Sequence, residues 1–199
     1  MDREIRRMQM RPQIRSDDAG GAMMVEGYAA VFDVPTVLWE SEYSGYKYME
    51  QIARGAFDGA DMTRTVLKYN HGDNALVLAR TSNDSLTLAA DDHGLKVTAT
   101  LADTTAGRDL YTLIKGGYID KMSFAFTVDA ESEEDDREAK TFLRTVKRIG
   151  TVYDVAAVDF PAYEETEIEA RSGEADFYRK LDAKRIEDKK RRLKLLASL

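Results

Sequence analysis

The sequence of 199 residues contains no cysteine and only two histidines. The absence of cysteine excludes disulfides, thiolate metal sites and a cysteine nucleophile, and it fits a reducing compartment. No apolar run approaches the roughly 20 residues that a membrane-spanning helix needs. The charged N-terminus, MDREIRRMQMR, lacks the apolar stretch of a secretory signal. These absences predict a soluble, intracellular protein.

The charge is distributed unevenly along the chain, which has a formal net charge of −7. Residues 171–199 carry ten Lys or Arg and five Asp or Glu, a net charge of +5, so residues 1–170 carry −12. Because an acidic surface repels phosphates, direct binding of nucleic acid by the body is not expected. Residues 174–199 contain no Gly or Pro and are rich in Lys, Arg, Leu and Ala, which favours a helix. We therefore expect one domain over residues 1–172 and a separate basic helical tail over residues 173–199.

The body is predicted to be rich in β-structure. The acidic run 131–138 is interpreted as a solvated loop, and 33–42 as a loop around Pro35. Residues 52–58 are predicted to form a strand, a turn and a short helix. The clearest helix covers residues 104–116, with Leu110, Leu113 and Ile114 as its apolar stripe. Strands 75–80, 85–90 and 95–101 are predicted to form a meander. Apolar alternation predicts strands at 4–11, 23–32, 64–70, 75–80, 85–90, 95–101, 122–128, 141–149 and 152–160.

Few residues could carry chemistry. His93 lies in Asp92-His93-Gly94 and is predicted to be a solvated turn residue. His71 ends an apolar strand before Gly72, so the residues alone leave a structural and a catalytic role equally open. Ser123 stands between large apolar residues, where strand alternation favours a polar position on the outward face.

Cofactor chemistry has little support in the sequence. The two distant histidines do not form H-E-x-x-H or another close ligand spacing, and the acidic run 131–138 lacks the glycine and the spacing of an EF-hand. No G-x-S-x-G elbow, phosphate loop or dinucleotide fingerprint occurs. We therefore predict no metal and no cofactor.

A combination of segments is more informative than any single residue. The chain resembles the prohead proteases of tailed bacteriophages, capsid-maturation serine proteases related in fold to herpesvirus assemblins. The residues that carry the resemblance occur in the family's order and are EGYAAVFD (26–33), IARGAF (52–57), YNHGDNALVLART (69–81), DDHGLKVTATLADTTAGRDLYTLIKGGYIDKMSFAF (91–126) and VYDVAAVDFPAYEETEIEARS (152–172).

The resemblance implies a fold and a site. The fold would be α+β and mainly β, a small antiparallel β-barrel of the assemblin type with one or two flanking helices and a helical C-terminal tail. Ser123 matches the family's nucleophile and His71 its base. The family's acid matches Asp154, with Asp in place of the usual Glu. Asp159 lies five residues further on and would face the other side of a strand, so we choose Asp154.

Other positions are less fully specified. The candidate oxyanion donors are backbone amides near Ser123 or on a neighbouring strand, and the side chains of Arg80 and Arg108. For the two arginines the alternative is a structural ion pair. The chain also departs from the family's pattern, with Arg54 in place of Pro, Ala79 in place of Gly and Ala156-Ala157 in place of Ser-Pro.

The implied function is a serine endopeptidase that cleaves the scaffolding protein, or the scaffold segment of the major capsid protein, and itself. It would act inside the procapsid in the host cytoplasm. The resemblance to assemblins leaves a homo-oligomer open as the active form. The main alternative is a catalytically inactive scaffolding or assembly protein of the same fold. The presence of His71, Ser123 and an acid at 154 argues against that alternative. A second alternative, nucleic-acid binding through the tail, is disfavoured by the acidic body.

Overall fold

A computed structural model describes residues 4–8, 13–14, 21–72, 74–159, 183–187 and 190–191. The named elements of this part of the chain are mostly strands, in accordance with the predicted β-rich body. In chain order they are β1 (Glu4–Met8), β2 (Gln13–Ile14), β3 (Met24–Val31), β4 (Thr36–Glu40), β5 (Lys47–Ile52), β6 (Val66–Tyr69), β7 (Val77–Arg80), a 3-10 turn (Thr81–Asn83), β8 (Leu86–Ala90), β9 (Gly94–Thr100), α1 (Thr105–Lys115), β10 (Lys121–Asp136) and β11 (Thr141–Val158).

The centre of the larger sheet is a long hairpin formed by β10 and β11. The two strands pair antiparallel from Lys121↔Val158 to Asp136↔Thr141, with irregularities between Ala125 and Glu131. β11 also pairs in parallel with β5 and with β6, at different points along its length. β4 pairs with β5, β7 with β6, and β1 with β10. β11 therefore has strands on both sides, as expected for a strand that lies inside the fold.

The smaller sheet has the order β2-β3-β9-β8. Small residues allow close packing at β3 and β9. Ala29 and Ala30 on β3 are fully buried. A Cβ at Gly94 would lie 1.9 Å from the carbonyl oxygen of Ala30, so only glycine allows β9 to approach β3 here. Residues of both sheets share one core, in which the rings of Phe124 and Phe126 stack with their centroids 4.5 Å apart.

Helix α1 confirms the helix predicted over 104–116. The Thr104 hydroxyl accepts a hydrogen bond from the Gly107 amide at 3.1 Å and caps the first turn. Leu110 and Ile114 of the predicted apolar stripe are buried, whereas Leu113 is exposed. None of the described helices is long and apolar enough to cross a membrane.

The predicted closed antiparallel barrel is not confirmed. The described strands form two open sheets, and β11 makes two parallel pairings that an antiparallel barrel does not contain. The predicted helical tail is not confirmed either. Only residues 183–187 and 190–191 of it are described, and these are helical. The division at residue 172 stays a prediction.

Four local predictions were wrong. Residues 131–136 belong to β10 rather than to a loop, and 36–40 form strand β4. Residues 54–59 form turns without a helix. β7 pairs with β6 in the larger sheet, whereas β8 pairs with β9, so the expected meander is split between two sheets. At 131–136 and 36–40, pairing with a neighbouring strand overrides the local loop pattern.

One described piece of the tail packs onto the far end of the larger sheet. Arg185 donates a hydrogen bond to the Tyr48 hydroxyl at 3.0 Å and lies 3.0 Å from the Asp135 carboxylate. Its guanidinium also stacks over the Tyr46 ring, 4.3 Å from the centroid. Tyr46 and Tyr48 form a small buried cluster with Leu38 and Phe142.

Candidate active site

Two strands of the larger sheet bring Ser123 and Asp154 to the same face. Ser123 on β10 lies opposite Ala156 on β11, and Asp154 lies opposite Ala125. Because side chains alternate along a strand, residues two apart share a face. Ser123 and Asp154 are thus diagonal neighbours across one strand pair.

His71 reaches this face from the end of β6. β6 pairs with β11 from Val66↔Asp154 to Ala157↔Tyr69. The next residue, Asn70, has a φ of 56°, and its amide donates to the carbonyl oxygen of Ala157 at 2.9 Å. A left-handed residue ends the regular extension of a strand. The chain therefore turns directly before His71.

The three side chains form a continuous hydrogen-bonded series. The Ser123 hydroxyl lies 2.5 Å from Nε2 of His71 and donates to it. Nδ1 of His71 contacts Oδ1 of Asp154 and donates to that carboxylate. A carboxylate can only accept, so it holds the proton on Nδ1 and leaves Nε2 as the acceptor for the serine hydroxyl.

All three side chains are removed from solvent. Ser123 is 0% and Asp154 2% exposed, and the His71 side chain is 5% exposed. The outward, solvent-facing position predicted from strand alternation for Ser123 is therefore wrong. In a site with so little water, fixed charges and dipoles act more strongly than at the surface.

Asp159 makes different contacts. It accepts hydrogen bonds from the Tyr69 hydroxyl and, at 3.2 Å, from the Asn70 side-chain amide. The first of these bonds raises the pKa of Tyr69. Of the two acids weighed from the sequence, Asp154 is the one that contacts His71.

The other residues considered from the sequence lie elsewhere. His93 is in a turn, where its amide donates to Asp91 at 2.8 Å and its ring meets Tyr28 edge-on. Arg108 forms an exposed ion pair with Asp103, which is the structural alternative weighed for it. Arg80 is exposed at the end of β7. The oxyanion donors are not identified by these contacts.

Sequence reasoning missed a cluster of charges around Arg144 in the same sheet. The Arg144 guanidinium on β11 binds Glu4 of β1 at 2.7 and 2.8 Å, Glu50 of β5 at 3.0 Å and Glu131 of β10. Burial lowers the pKa of Arg144, but the hydrogen bond with Glu4 and the charges of Glu50 and Glu4 outweigh it and raise that pKa. Glu4 and Glu50 lie 140 and 94 residues from Arg144 in the sequence, so no local pattern could have predicted the cluster.

A serine, a histidine and a carboxylate joined in this order are the constellation that serine peptidases use. The chain belongs to the caudovirus prohead serine protease family, because the model of that family matches residues 11–180. Neither the curated proteins nor the solved structures contain a match to the chain. The family is one of serine proteases of the phage prohead, which implies capsid-related substrates and a place inside the procapsid.

Proposed function

We propose that this protein is an endopeptidase in which Ser123 is the nucleophile, His71 the general base and then acid, and Asp154 the group that orients His71. The hydrogen-bonded series from Ser123 through His71 to Asp154, within a buried site, carries this proposal. A serine hydroxyl is a weak nucleophile at neutral pH and needs a base within hydrogen-bond reach. Nε2 of His71 meets that requirement.

The reaction follows from this geometry. Ser123 Oγ attacks the scissile carbonyl carbon while its proton passes to Nε2 of His71, and Asp154 stabilises the resulting imidazolium. The tetrahedral intermediate breaks its C–N bond, and the leaving amine takes the proton from Nε2. Water then attacks the acyl carbon while His71 accepts its proton. The bond from the acyl carbon to Ser123 Oγ breaks, His71 returns the proton to Oγ, and the acid product leaves.

The proposed substrates are the scaffolding protein or the scaffold segment of the major capsid protein, and the protease itself. Family membership supports capsid-related substrates. The basic tail, residues 173–199, carries a net charge of +4, in contrast to the acidic body. It would serve as an encapsidation signal and be trimmed by self-cleavage. Unchanged packaging of a variant that lacks residues 174–199 would contradict this role of the tail.

One observation favours the alternative of an inactive assembly protein. Ser123 is fully buried, and a nucleophile must meet its substrate.

Cleavage of purified capsid and scaffolding proteins, followed by mass spectrometry, separates the two functions. We expect wild-type protein to cleave and Ser123→Ala to be inactive. Ser132→Ala, which changes a serine further along the same strand, is the control and should cleave normally. Cleavage that persists in Ser123→Ala contradicts the assignment, and no cleavage by any variant favours the inactive assembly protein.

A further inference from the structure

The edge of β10 beside Ser123 is occupied by the N-terminal strand of the chain itself. β1 pairs antiparallel with β10 over five positions, from Glu4↔Phe126 to Met8↔Met122. Residue 7 lies directly opposite Ser123. Residues opposite each other in an antiparallel pair have Cα atoms about 4.5–5.5 Å apart. The backbone of β1 therefore passes next to the proposed nucleophile.

An extended peptide commonly binds a protein by adding a strand to a sheet edge, where backbone hydrogen bonds provide affinity. A substrate bound in this way to β10 would place its backbone beside Ser123. β1 already fills that edge at Met122–Phe126. A substrate strand and β1 cannot occupy the same edge at once.

We propose that β1 is a built-in competitor of the substrate, and that an extended substrate segment binds antiparallel to β10 after β1 has left. This inference rests on the proposed function of Ser123. It explains how a nucleophile with no exposed surface can belong to a protease, since the described structure would be the closed state.

β1 has features of a removable strand. It is only five residues long and lies at the end of the strand path β1-β10-β11-β5-β4. Ile5 is 38% exposed, so this side chain is only partly buried. Short strands at the edge of a sheet open more readily than the core.

The side chain of Glu4 provides the strongest polar attachment of β1 that the structure describes. Both of its carboxylate oxygens bind the Arg144 guanidinium, whose side chain is 13% exposed. Bidentate Arg–carboxylate pairs are stronger than neutral hydrogen bonds. Glu4→Gln should weaken the attachment and leave Arg144 paired with Glu50 and Glu131.

The test compares rates of covalent labelling of Ser123 by a fluorophosphonate probe in the full-length protein. We expect labelling about tenfold faster in Glu4→Gln, because the loss of one charge-assisted attachment raises the open population by about that factor. Glu131→Gln is the matched control, since Glu131 binds the same guanidinium but belongs to β10. It should label at the wild-type rate.

Two further measurements make the test independent of that one variant. A synthetic peptide of residues 1–10 should slow labelling of the Glu4→Gln protein, and adding it should protect the amides of residues 122–126 from hydrogen exchange. Equal labelling rates in wild type and Glu4→Gln, with no effect of the peptide, would overturn the inference while leaving Ser123 as the nucleophile. If no variant is labelled at Ser123, the proposed function fails, and the inference fails with it.

Discussion

Replacing Asp154 by Asn tests the role of the carboxylate in the series from Ser123 to Asp154. Asp154 is 2% exposed and accepts a hydrogen bond from Nδ1–H of His71. An Asn side chain of nearly the same shape can instead donate its amide hydrogen to Nδ1. His71 would then carry its proton on Nε2 and donate to Ser123, so it could no longer accept the serine proton.

The expected effect is large. The corresponding change in Ser-His-Asp proteases lowers kcat by about 10⁴, which equals about 5.4 kcal/mol in the activation barrier at 1.36 kcal/mol per tenfold. The His71 side chain is only 5% exposed, so water has little access to restore the correct tautomer. We expect a loss of this size in kcat/KM on a capsid-derived substrate, with unchanged circular dichroism.

The control variant is Asp159→Asn, because Asp159 bonds Tyr69 and Asn70 instead of His71. It should lose activity by no more than a few fold, since it leaves both nitrogens of His71 with their partners. A loss in Asp159→Asn that exceeds the loss in Asp154→Asn would refute the reasoning.

The chain offers a second readout that needs no substrate. It contains only two histidines, so the imidazole nitrogens of His71 can be assigned by NMR with His93 as the internal reference. We expect the Nδ1–H tautomer in the wild type and the Nε2–H tautomer in Asp154→Asn. The Nε2–H tautomer in the wild type would also refute the role of Asp154.

Two predictions concern the far end of the larger sheet. Burial and the hydrogen bond to Asp135 raise the pKa of Tyr46 to about 12, so the folded state holds this proton more tightly than the unfolded state does. Its contribution to the free energy of unfolding is therefore complete below about pH 10 and is lost as the pH rises towards 12. Chemical denaturation at several pH values should show that Tyr46→Phe removes this part of the pH dependence. Arg185→Ala should lower the free energy of unfolding by about 1–2 kcal/mol, since it removes a cation–π contact and a hydrogen bond. Lys184→Ala, at an exposed neighbouring position, should change it by less than about 0.5 kcal/mol, and equal effects of the two substitutions would contradict the described docking of the tail.

The elements that could be predicted from the sequence are those with local signals. Strands β8 and β9 are separated by turn residues, and α1 has a capping threonine and an apolar stripe. The acidic end of β10 has no such signal. Its carboxylates find partners on other elements of the fold. Glu131 pairs with Arg144, and Asp135 accepts a hydrogen bond from the Tyr46 hydroxyl, 2.5 Å away. Like-charge runs therefore favour a loop only where no such partners exist.

The candidate site was predictable for a different reason. Residue chemistry alone left His71 open and favoured a surface position for Ser123, so the resemblance to a known family provided both residues. The choice between Asp154 and Asp159 did follow from strand alternation, and Asp154 contacts His71. The position of β1 opposite Ser123 could not be predicted, because it depends on the pairing of segments more than 100 residues apart.

The central claim is that Ser123 is an activated nucleophile, and mapping a covalent fluorophosphonate adduct by mass spectrometry tests it most directly. We expect one adduct, on the peptide that contains Ser123. It should form in the wild type and in Ser132→Ala and be absent from Ser123→Ala and His71→Ala. An adduct on another residue, or one that forms equally well without His71, would contradict the role of Ser123.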